Sequence, residues 1–286
     1  MMSDMYSVIE TGDGSSTVKS EEFGEAMHTD AGAYEESVVK HVRACGKIRE
    51  GSGHLSILDV GFGIGYNLCA LLVEWSRLTE KPFLDIVSLE KDNSVSECLS
   101  KLYFGDERDV WFEVVKNAFL KGELEGDGYS ISIRFGDARR TVLSLVEQHR
   151  LFDVVFQDAF SPAKNPELWS LDYFRRIRQI MKNDAILTTY SAAPQIRRAI
   201  SEAGLRIAKG VSTGKKKEGT LASPSVLNGS MTQDEMRTLF DEIKSIPYKD
   251  ESLESERETI LTRRIEEMAV IREDRRDSLC RQAPRE

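Results

Sequence analysis

The chain has 286 residues, 40% of them hydrophobic and 30% charged, which indicates an ordinary soluble globular protein with one large domain and at most a modest extension. Its formal net charge of −9 argues against a surface coated with phosphate-binding groups, but it leaves room for local basic patches. No apolar run approaches the roughly 20 residues that span a bilayer, and the scattered cysteines form no C-x-x-C pair, so we expect neither a membrane partner nor a metal site.

The N-terminal segment, residues 1–19, is polar and rich in glycine and serine, which is typical of a frayed hairpin or a flexible stretch. It lacks the basic and apolar regions of a signal peptide, and we therefore expect a cytoplasmic protein. The residues that follow include Phe23, His28 and Tyr34, whose side chains are suited to line a pocket. A single loop histidine is more often structural than catalytic, so we interpret His28 as a substrate contact only.

A helix is predicted from about residue 33 to residue 48, with Thr29 or Asp30 as its N-cap. The positions expected to face inward are Val38, Val39, Val42 and Ala44. This spacing is that of an amphipathic helix packed on the domain.

The most informative stretch is Asp59–Asn67, where an acid at the end of an apolar run is followed by glycines at positions 61, 63 and 65 and then by a helical pattern. Alternating glycines let the backbone turn sharply and approach a ligand, while the following helix directs free N–H groups at the bend. The spacing differs from the G-x-G-x-x-G that cradles a pyrophosphate. It resembles the first motif of class I S-adenosyl-L-methionine (SAM) methyltransferases, whose ligand carries an ammonium group that Asp59 would meet directly or through water. The alternative for Asp59 is a turn acid hydrogen-bonded within its own loop.

Short apolar runs, mostly separated by helical patterns, predict an α/β fold with a doubly wound, mostly parallel sheet and helices on both faces. The seven runs lie at about 55–60, 85–90, 131–135, 152–158, 185–190, 205–210 and 219–223. This count, with the last two runs close together, fits the class I SAM methyltransferase (Rossmann-like) fold, whose seven-stranded sheet ends in an antiparallel strand.

Acids follow the second and third runs. Glu90 ends the second run, where a doubly wound fold hydrogen-bonds ribose hydroxyls; a surface acid at a strand end is the alternative. Asp137 lies in the turn that borders adenine in this fold, and it is placed to accept from the adenine amino group while Ala138 offers backbone contacts. The alternative for Asp137 is an N-cap of the helix that begins near Ala138, and one carboxylate can serve both roles.

The fourth run ends at Asp158 and leads into a stiff loop with two prolines and an aromatic ring, Ala159–Trp169. Ligands in open α/β sheets lie beyond the carboxyl ends of strands at the topological switch, and the first and fourth runs flank that point. Asp158 is therefore expected to face the reacting methyl group, and Phe160 to position a flat, nitrogen-bearing substrate. The alternative is a purely structural proline-rich loop.

Several stretches together resemble the methyltransferase domain of the bifunctional tRNA modification enzyme MnmC. Asp158–Trp169 resembles its D-x-F-[AS]-P-x-K-N-P-x-x-W loop, and Asp59–Asn67 resembles its G-F-G-x-G-x-N turn. Residues 20–36 resemble its N-terminal segment, closest to short single-domain relatives, and Gly214–Leu221 resembles its G-[RK]-K-[RK]-E-x-[LM] ending. The resemblance covers about residues 20–223.

The resemblance implies methyl transfer from SAM to the exocyclic amine of 5-aminomethyl-2-thiouridine, or a close aminomethyluridine, at the tRNA wobble position. MnmC also has an FAD-dependent oxidase domain, and nothing after Leu221 supplies its dinucleotide fingerprint, so we expect no FAD and no oxidase activity. The implied catalytic residues are Asp158, which orients the amine and accepts its proton, and Phe160, which packs against the base.

The site residues carried by these motifs and strand ends fall into two sets. The predicted cofactor contacts are Asp59, Gly61, Phe62, Gly63, Gly65, Asn67, Glu90, Lys91, Asp137, Ala138 and Asp158. The predicted substrate contacts are His28, Pro162, Lys164 and Tyr190. Tyr190, at the end of the fifth run, fits a core position equally well.

Basic clusters follow the active-site loop. They are Arg175, Arg176, Arg178 and Lys182, then Arg197 and Arg198, then Lys215, Lys216 and Lys217. A charge run usually marks a solvated face, but the position of these clusters also fits local contacts with a tRNA backbone. We therefore expect tRNA as a partner and no obligate protein partner.

After Pro224 the pattern changes to helices, one starting at Thr232–Glu235 and a strongly charged one from Ser255 to Arg276. The predicted organisation is a flexible N-terminal segment, a SAM-dependent methyltransferase domain and a helical C-terminal extension. Their bounds are 1–19, 20–223 and 224–286.

Two other function classes were weighed. A small-molecule amine methyltransferase or an aminopropyltransferase-like enzyme uses a related fold and also presents an acid to an amine; the acidic net charge favours this class and the resemblance disfavours it. A non-catalytic interaction protein with the SAM-binding fold is disfavoured by the intact glycine turn together with Glu90, Asp137 and Asp158.

Overall fold

The computed structural model describes residues 6–12, 14–28, 32–50, 53–91, 93–211 and 218–282. The first strands form a small antiparallel sheet and are β1 (Tyr6–Glu10), β2 (Ser16–Ser20) and β3 (Glu25–Ala26). Val18 on β2 is fully buried in the domain core, and Thr11 Oγ1 donates a 2.8 Å hydrogen bond to the carbonyl oxygen of Ser15 across the turn. The expectation of a flexible segment is therefore wrong for the described part of residues 6–19, where the hairpin alternative is found. Residues 1–5 and Asp13 lie outside the described residues.

The helix predicted from residue 33 is present but irregular. Its parts are α1 (Ala33–Ser37), a π-helical turn (Val38–Val42), α2 (Arg43–Cys45) and a 3₁₀ turn (Lys47–Glu50). The wider π turn shifts the helical repeat, so that Lys40 and His41 are buried whereas Val39 is only half-buried. The proposed caps Thr29 and Asp30 lie outside the described residues.

The central sheet contains every predicted strand. The remaining strands are β4 (His54–Val60), β5 (Phe83–Glu90), β6 (Glu123–Gly126), β7 (Tyr129–Phe135), β8 (Phe152–Gln157), β9 (Met181–Thr189), β10 (Arg206–Lys209) and β11 (Thr220–Ser223). Within the described residues the sheet has eight strands in the order β10-β11-β9-β8-β4-β5-β7-β6. The last strand, β11, runs antiparallel to β9 and β10, as predicted. The additional strand β6 pairs antiparallel with β7 and extends the far edge beyond the predicted seven.

Helices cover both faces of the sheet. The remaining α-helices are α3 (Tyr66–Ser76), α4 (Ser96–Leu99), α5 (Arg108–Lys121), α6 (Ala138–Glu147), α7 (Leu171–Gln179), α8 (Pro194–Glu202), α9 (Gln233–Asp241) and α10 (Arg257–Gln282). One apolar core joins the sheet to α1, α3, α4 and α5, and a second joins it to α6, α7 and α8. The predicted α/β class and its two-faced architecture are confirmed. None of the described helices has both the length and the apolar character that crossing a membrane requires.

The C-terminal helices pack on the second core. α9 begins with the predicted capping box between Thr232 and Glu235. The buried side chains Leu239, Leu253 and Ile260 join the cluster formed by α6, α7 and α8. The division of the chain at residue 224 stays a prediction.

Candidate active site

The glycine turn between β4 and α3 adopts backbone conformations that favour glycine. Gly61, Gly63 and Gly65 have φ angles of +89°, +55° and +77°. A Cβ atom at Gly61 would lie 2.7 Å from the carbonyl oxygen of Asp158, so this glycine allows the ends of β4 and β8 to approach each other. The Gly61 N–H donates to the carbonyl oxygen of Leu89, which ties the turn to the end of β5.

Asp158, directly after β8, lies at the centre of a polar network. Its Oδ1 is 3.4 Å from His41 Nε2, and its Oδ2 accepts a 2.9 Å hydrogen bond from Asn67 Nδ2. Asn67 Nδ2 also donates to Asp59 Oδ1 at 3.2 Å, and Ser88 Oγ donates to Asp59 Oδ2 at 2.6 Å. The network therefore joins the ends of the three central strands β4, β5 and β8 to α3 and the π turn.

The two carboxyl groups of this network differ in their readiness to ionise. Burial raises the pKa of Asp59 to about 7, against the lowering effect of its hydrogen-bond donors. Burial would also raise the pKa of Asp158, but the opposing effects of His41, His28 and Asn67 are larger and leave that pKa below its usual value. Asp158 is therefore the ionised acceptor of the pair at neutral pH.

The contact of Asp59 with the ligand ammonium group, directly or through water, stays a prediction. Its side chain is fully buried and both oxygens accept hydrogen bonds within the protein, which is the alternative weighed for it. Asn67 stands between Asp59 and Asp158, and its Oδ1 is buried with no hydrogen-bond partner among the described residues. Buried acceptors are usually paired, so this amide oxygen lacks the partner that such atoms normally have.

Asp59 should make the stability of the fold depend on pH. Because its pKa is higher in the folded chain than the ~3.9 of an unfolded aspartate, the folded state holds more protons between about pH 4 and pH 7. The free energy of unfolding should therefore fall as pH rises through this window, and Asp59→Asn should remove that part of the fall. Urea unfolding of both proteins at about pH 4.5 and about pH 7.5 checks this. Equal losses in both would show that Asp59 ionises normally.

Glu90 braces the glycine turn from the end of β5. Its Oε2 accepts a 2.9 Å hydrogen bond from the Gly63 N–H, and its Oε1 accepts a 2.7 Å bond from the Lys91 N–H. The contact of Glu90 with ribose hydroxyls stays a prediction. The side chain of Lys91 extends to Glu22 and lies over the Phe23 ring.

Asp137 is the N-cap of α6, as the alternative for it predicted. Its carboxylate accepts the Arg139 N–H at 2.9 Å and forms an ion pair with the guanidinium of the same residue at 2.7 Å. Although burial opposes it, these bonds lower the pKa of Asp137. Arg139 also donates to the fully buried Asp250, which links the predicted adenine turn to the C-terminal extension. Ala138 begins α6, and its contact with adenine stays a prediction.

The proline-rich loop after β8 is held by buried aromatic side chains. Trp169 Nε1 donates to the carbonyl oxygen of Phe160 at 2.7 Å, and the Tyr190 hydroxyl donates to that of Ala159 at 3.0 Å. The Tyr190 ring also packs edge-on against Trp169. Burial raises the pKa of Tyr190 well above its usual value, so the phenol stays neutral and acts as a brace for the loop.

The N-terminal sheet covers this loop and the glycine turn. The ring of Phe23 stacks on Phe160 with centroids 4.2 Å apart and an interplanar angle of 18°. Ser161 Oγ donates a 2.6 Å hydrogen bond to Glu25 Oε2 on β3. Met27 lies against the middle glycine of the turn, where an added Cβ would be 3.2 Å from its Sδ. These residues close the site from the side opposite the sheet.

The other predicted contacts have mixed positions. His28 Nδ1 lies 3.1 Å from Thr17 Oγ1, close enough to the site for its charge to act on Asp158. Pro162 is half-exposed and Lys164 is exposed on the active-site loop. The Phe62 side chain, by contrast, is buried against Phe119 with ring centroids 4.8 Å apart, so only its backbone can line the turn.

His41 is the residue of the network that sequence reasoning missed. Its side chain is 1% exposed, and its Nδ1 lies 2.8 Å from Thr188 Oγ1 on β9. It lies in the π turn between the buried Val38 and Val42, and the sequence prediction took only apolar residues as the inward positions of this helix. No sequence signal for a π turn is known to us in this segment.

The basic clusters are largely engaged within the protein. Arg197, 9% exposed, donates to Thr220 Oγ1 and to the carbonyl oxygen of Gly219. Arg198 pairs with Glu202, and the first cluster includes pairs of Arg175 with Asp172 and Lys182 with Asp153. The prediction that Arg197 binds a tRNA backbone is therefore wrong, because its donors hold β11. Lys215, Lys216 and Lys217 lie outside the described residues.

Similarity to known proteins identifies the family. Residues 101–225 match the family described as S-adenosyl-L-methionine-dependent methyltransferase. The chain is 30% identical over 275 residues to an uncharacterized protein of Methanocaldococcus jannaschii, covering 93% of this chain and 73% of that protein. The crystal structure of MnmC2 from Aquifex aeolicus matches with a TM-score of 0.82 and 31% identity, covering 92% of this chain and 85% of that one. The chain belongs to the MnmC-like family of SAM-dependent methyltransferases.

The family includes larger proteins with a second activity. The tRNA 5-methylaminomethyl-2-thiouridine biosynthesis bifunctional protein MnmC of Burkholderia vietnamiensis is 30% identical over 213 residues, which cover 68% of this chain. That match spans 31% of the relative's own length. The MnmC resemblance, the class I fold and the assignment as a SAM-dependent methyltransferase are thereby confirmed.

Proposed function

We propose that this enzyme methylates the exocyclic amine of 5-aminomethyl-2-thiouridine, or of a close aminomethyluridine, at the wobble position of tRNA. The observation that carries the proposal is the Asp158 carboxylate, kept ionised beside His41 and Asn67 at the topological switch of the sheet. An aromatic ring, Phe160, lies two residues further on, where a base would pack. The MnmC relatives name the acceptor class that such a site would serve.

The chain's residues fit SAM as the donor. Glu90 lies at the end of β5 beside the glycine turn and is proposed to accept from the ribose hydroxyls, and the unpartnered Asn67 Oδ1 is proposed to accept from the ammonium group. The glycine turn ends at the N-terminus of α3, whose free N–H groups suit a carboxylate. When bound, SAM supplies an activated methyl group on a sulfonium, and the remaining contributions come from the chain.

Glu90→Ala should weaken the binding of S-adenosylhomocysteine (SAH) by about 10- to 100-fold, since hydrogen bonds to a charged group contribute roughly 1.5–3 kcal/mol. The loss has two sources, the missing acceptor for the ribose and the missing support for the Gly63 N–H. Isothermal titration calorimetry measures it, with the exposed Glu97→Ala on α4 as a matched control. Unchanged affinity in Glu90→Ala would remove Glu90 from the cofactor site.

The first step on the acceptor side is the loss of a proton from the amine. An ammonium nitrogen has no lone pair, so the amine must lose a proton before it can attack the methyl group. Asp158 is an ionised acceptor whose two oxygens are already oriented by neighbouring donors. We propose that it takes this proton and aligns the nitrogen in line with the sulfonium, contributions typical of a positioned general base.

Phe160 is proposed to position the base. One face of its ring is covered by Phe23, and the side chain as a whole remains half-exposed. Stacking of Phe23 fixes the orientation of the Phe160 ring, so that its remaining surface is presented to the acceptor without a loss of rotamer freedom.

Lys164 is the proposed contact with the tRNA backbone nearest to the site. It is exposed on the active-site loop, and its ammonium group forms no ion pair with any described residue. Lys164→Ala should weaken tRNA binding and reduce the slope of log K against log salt by about 1, because one phosphate contact is lost. Filter binding across a salt series, with Lys121→Ala at the exposed end of α5 as the control, would show an unchanged slope if Lys164 does not meet phosphate.

The acceptor class is tested by incubating the purified chain with methyl-labelled SAM and, separately, bulk tRNA from cells lacking this gene, ribosomal RNA, and a pool of small polyamines. Label is expected in tRNA alone. Label in the polyamines would overturn the proposal in favour of a small-molecule amine methyltransferase. We also propose that these 286 residues act without FAD, and a flavin absorption spectrum in the purified protein would contradict that.

A further inference from the structure

A buried histidine, His41, lies against Asp158. His41 Nε2 lies 3.4 Å from Asp158 Oδ1, and Nδ1 lies 2.8 Å from Thr188 Oγ1. The ring of Phe156 is 5.5 Å away and packs against the imidazole. His41 is thus held at Nδ1 by its hydrogen bond with Thr188, and Nε2 lies within ion-pair distance of the carboxylate without forming a hydrogen bond to any described residue.

We propose that His41 is a positioning residue for methyl transfer, holding the Asp158 carboxylate in one orientation and in its ionised form. This inference rests on the proposed role of Asp158. The step that it supports moves one proton from the acceptor ammonium nitrogen to an Asp158 oxygen. The electron pair left on nitrogen then forms the new N–C bond as the S–C bond breaks.

The partners of His41 allow it to keep this contact in either protonation state. A carboxylate only accepts hydrogen bonds, so Nε2 carries a hydrogen when it faces Asp158. The Thr188 hydroxyl can donate to Nδ1 of a neutral imidazole or accept from Nδ1–H of an imidazolium. The orientation of His41 is therefore independent of whether it is charged.

Two carboxyl groups lie close together in this network. Asn67 connects Asp158 to Asp59, and each of two neighbouring carboxylates disfavours ionisation of the other. Asp59, with its hydrogen bonds to neutral donors, has its pKa raised to about 7. Asp158 has the imidazole beside it as well, and its pKa is lowered.

The other titratable groups around this contact are few. His28 also lowers the pKa of Asp158, and Tyr190, whose phenol stays neutral, faces the same carboxylate. Neither lies within hydrogen-bonding distance of His41 among the contacts described above. His41 is the group whose charge and geometry both act on Asp158 directly.

The position of His41 in a π-helical turn supports a functional role for it. It lies in the π-helical turn Val38–Val42, and single π turns are rare and frequent at functional sites. The turn buries a polar residue, His41, on the same side of the helix as Val38 and Val42. The geometry thus brings an imidazole to the one carboxylate that the proposed chemistry needs.

The test is a direct titration of the Asp158 carboxyl group by ¹³C NMR, in protein labelled at the aspartate side-chain carboxyl carbons. Asp158→Asn identifies the resonance by its absence. In His41→Gln the titration is expected at higher pH than in the wild type. In the control His149→Asn, at an exposed turn position with φ +54° that asparagine tolerates, it should be unchanged. An unchanged titration in a folded His41→Gln overturns the proposal.

A second variant covers the case in which His41→Gln does not fold. Thr188→Val removes the partner of Nδ1 while keeping the side-chain shape, and the Asp158 titration should move in the same direction by a smaller amount. If Thr188→Val leaves the titration unchanged, the proposed orientation by Thr188 and His41 is wrong. These titrations use no acceptor, so they decide the role of His41 even if tRNA is not the substrate.

The activity of His41→Gln provides the matching kinetic readout. The single-turnover rate should fall by about 10- to 100-fold through misplacement of Asp158, with SAH affinity unchanged. In a plot of the single-turnover rate against pH, the rise on the acid side should move to higher pH, together with the titration of Asp158. A merely structural role would lower the melting temperature and leave that limb where it is in the wild type.

Discussion

Asp158→Asn is expected to abolish measurable methyl transfer while leaving SAH affinity nearly unchanged. The substitution keeps the size of the side chain but removes the charge that would accept the amine's proton. A general base alone contributes about 10²–10⁴-fold, and lost alignment adds to this. Single-turnover rates with saturating SAM and tRNA measure the effect on the chemical step.

A carboxylate at the other end of the same strand controls for general damage to β8. Asp153 is half-buried and accepts hydrogen bonds from the Ser56 N–H and from Lys182. Asp153→Asn should lower the melting temperature with little effect on the rate. If Asp158→Asn behaves in the same way, with lower stability and a near-normal saturated rate, Asp158 only braces the proline loop.

Gly63→Val is expected to abolish binding of SAM and SAH. Gly63 has φ +55°, a conformation that a β-branched residue rarely adopts, and its added side chain would press on Met27 and the space of the ligand. The N–H of this residue is also the group that Glu90 holds, so the ribose acceptor would move with it. Calorimetric titration with SAH measures the loss.

Gly122→Val separates backbone strain from loss of the ligand site. Gly122 ends α5 with φ +78°, and an added Cβ there would meet nothing within 4 Å. The variant Gly122→Val should destabilise the fold through similar backbone strain and should still bind SAH. Equal affinities of the Gly63 and Gly122 variants would show that the glycine turn is not the cofactor site.

Much of the fold was predictable because its signals are local. The runs that became β4, β5, β7 and β8 are apolar and end in an acid or a glycine, which is how buried parallel strands read. The hairpin strand β6 was missed because Glu123–Gly126 is four residues of mostly polar sequence ending in glycine, without an apolar run. β6 is stabilised by its antiparallel pairing with β7, and its own sequence does not predict a strand.

Some contacts of the predicted site residues depend on tertiary structure that the sequence does not show. Asp59 was predicted to contact a cation because it ends a strand at a glycine turn, and in the fold each of its oxygens accepts a hydrogen bond, one from Asn67 and one from Ser88. In the sequence Arg197 belongs to a basic cluster, but in the fold its guanidinium donates hydrogen bonds to Thr220 on β11 and to the carbonyl oxygen of the preceding Gly219.

Asp158, by contrast, was placed correctly at the end of a central strand by topology alone. Its location at the switch point follows from the order of strands, which the alternation of strands and helices predicts. The partner that tunes it, His41, comes from a helix whose repeat is broken by a π turn. A prediction that takes only apolar residues as inward does not single out a histidine on the same helix.

The most direct test of the account is to identify the nucleoside that receives the methyl group. Undermethylated tRNA from cells lacking this gene would be incubated with SAM carrying a deuterated methyl group, digested, and analysed by liquid chromatography and mass spectrometry. The account predicts one deuterated methyl group on the side-chain nitrogen of a 5-aminomethyluridine derivative, with the wild type and not with Asp158→Asn. Label on a ring atom or a ribose, or equal label from both proteins, would contradict it.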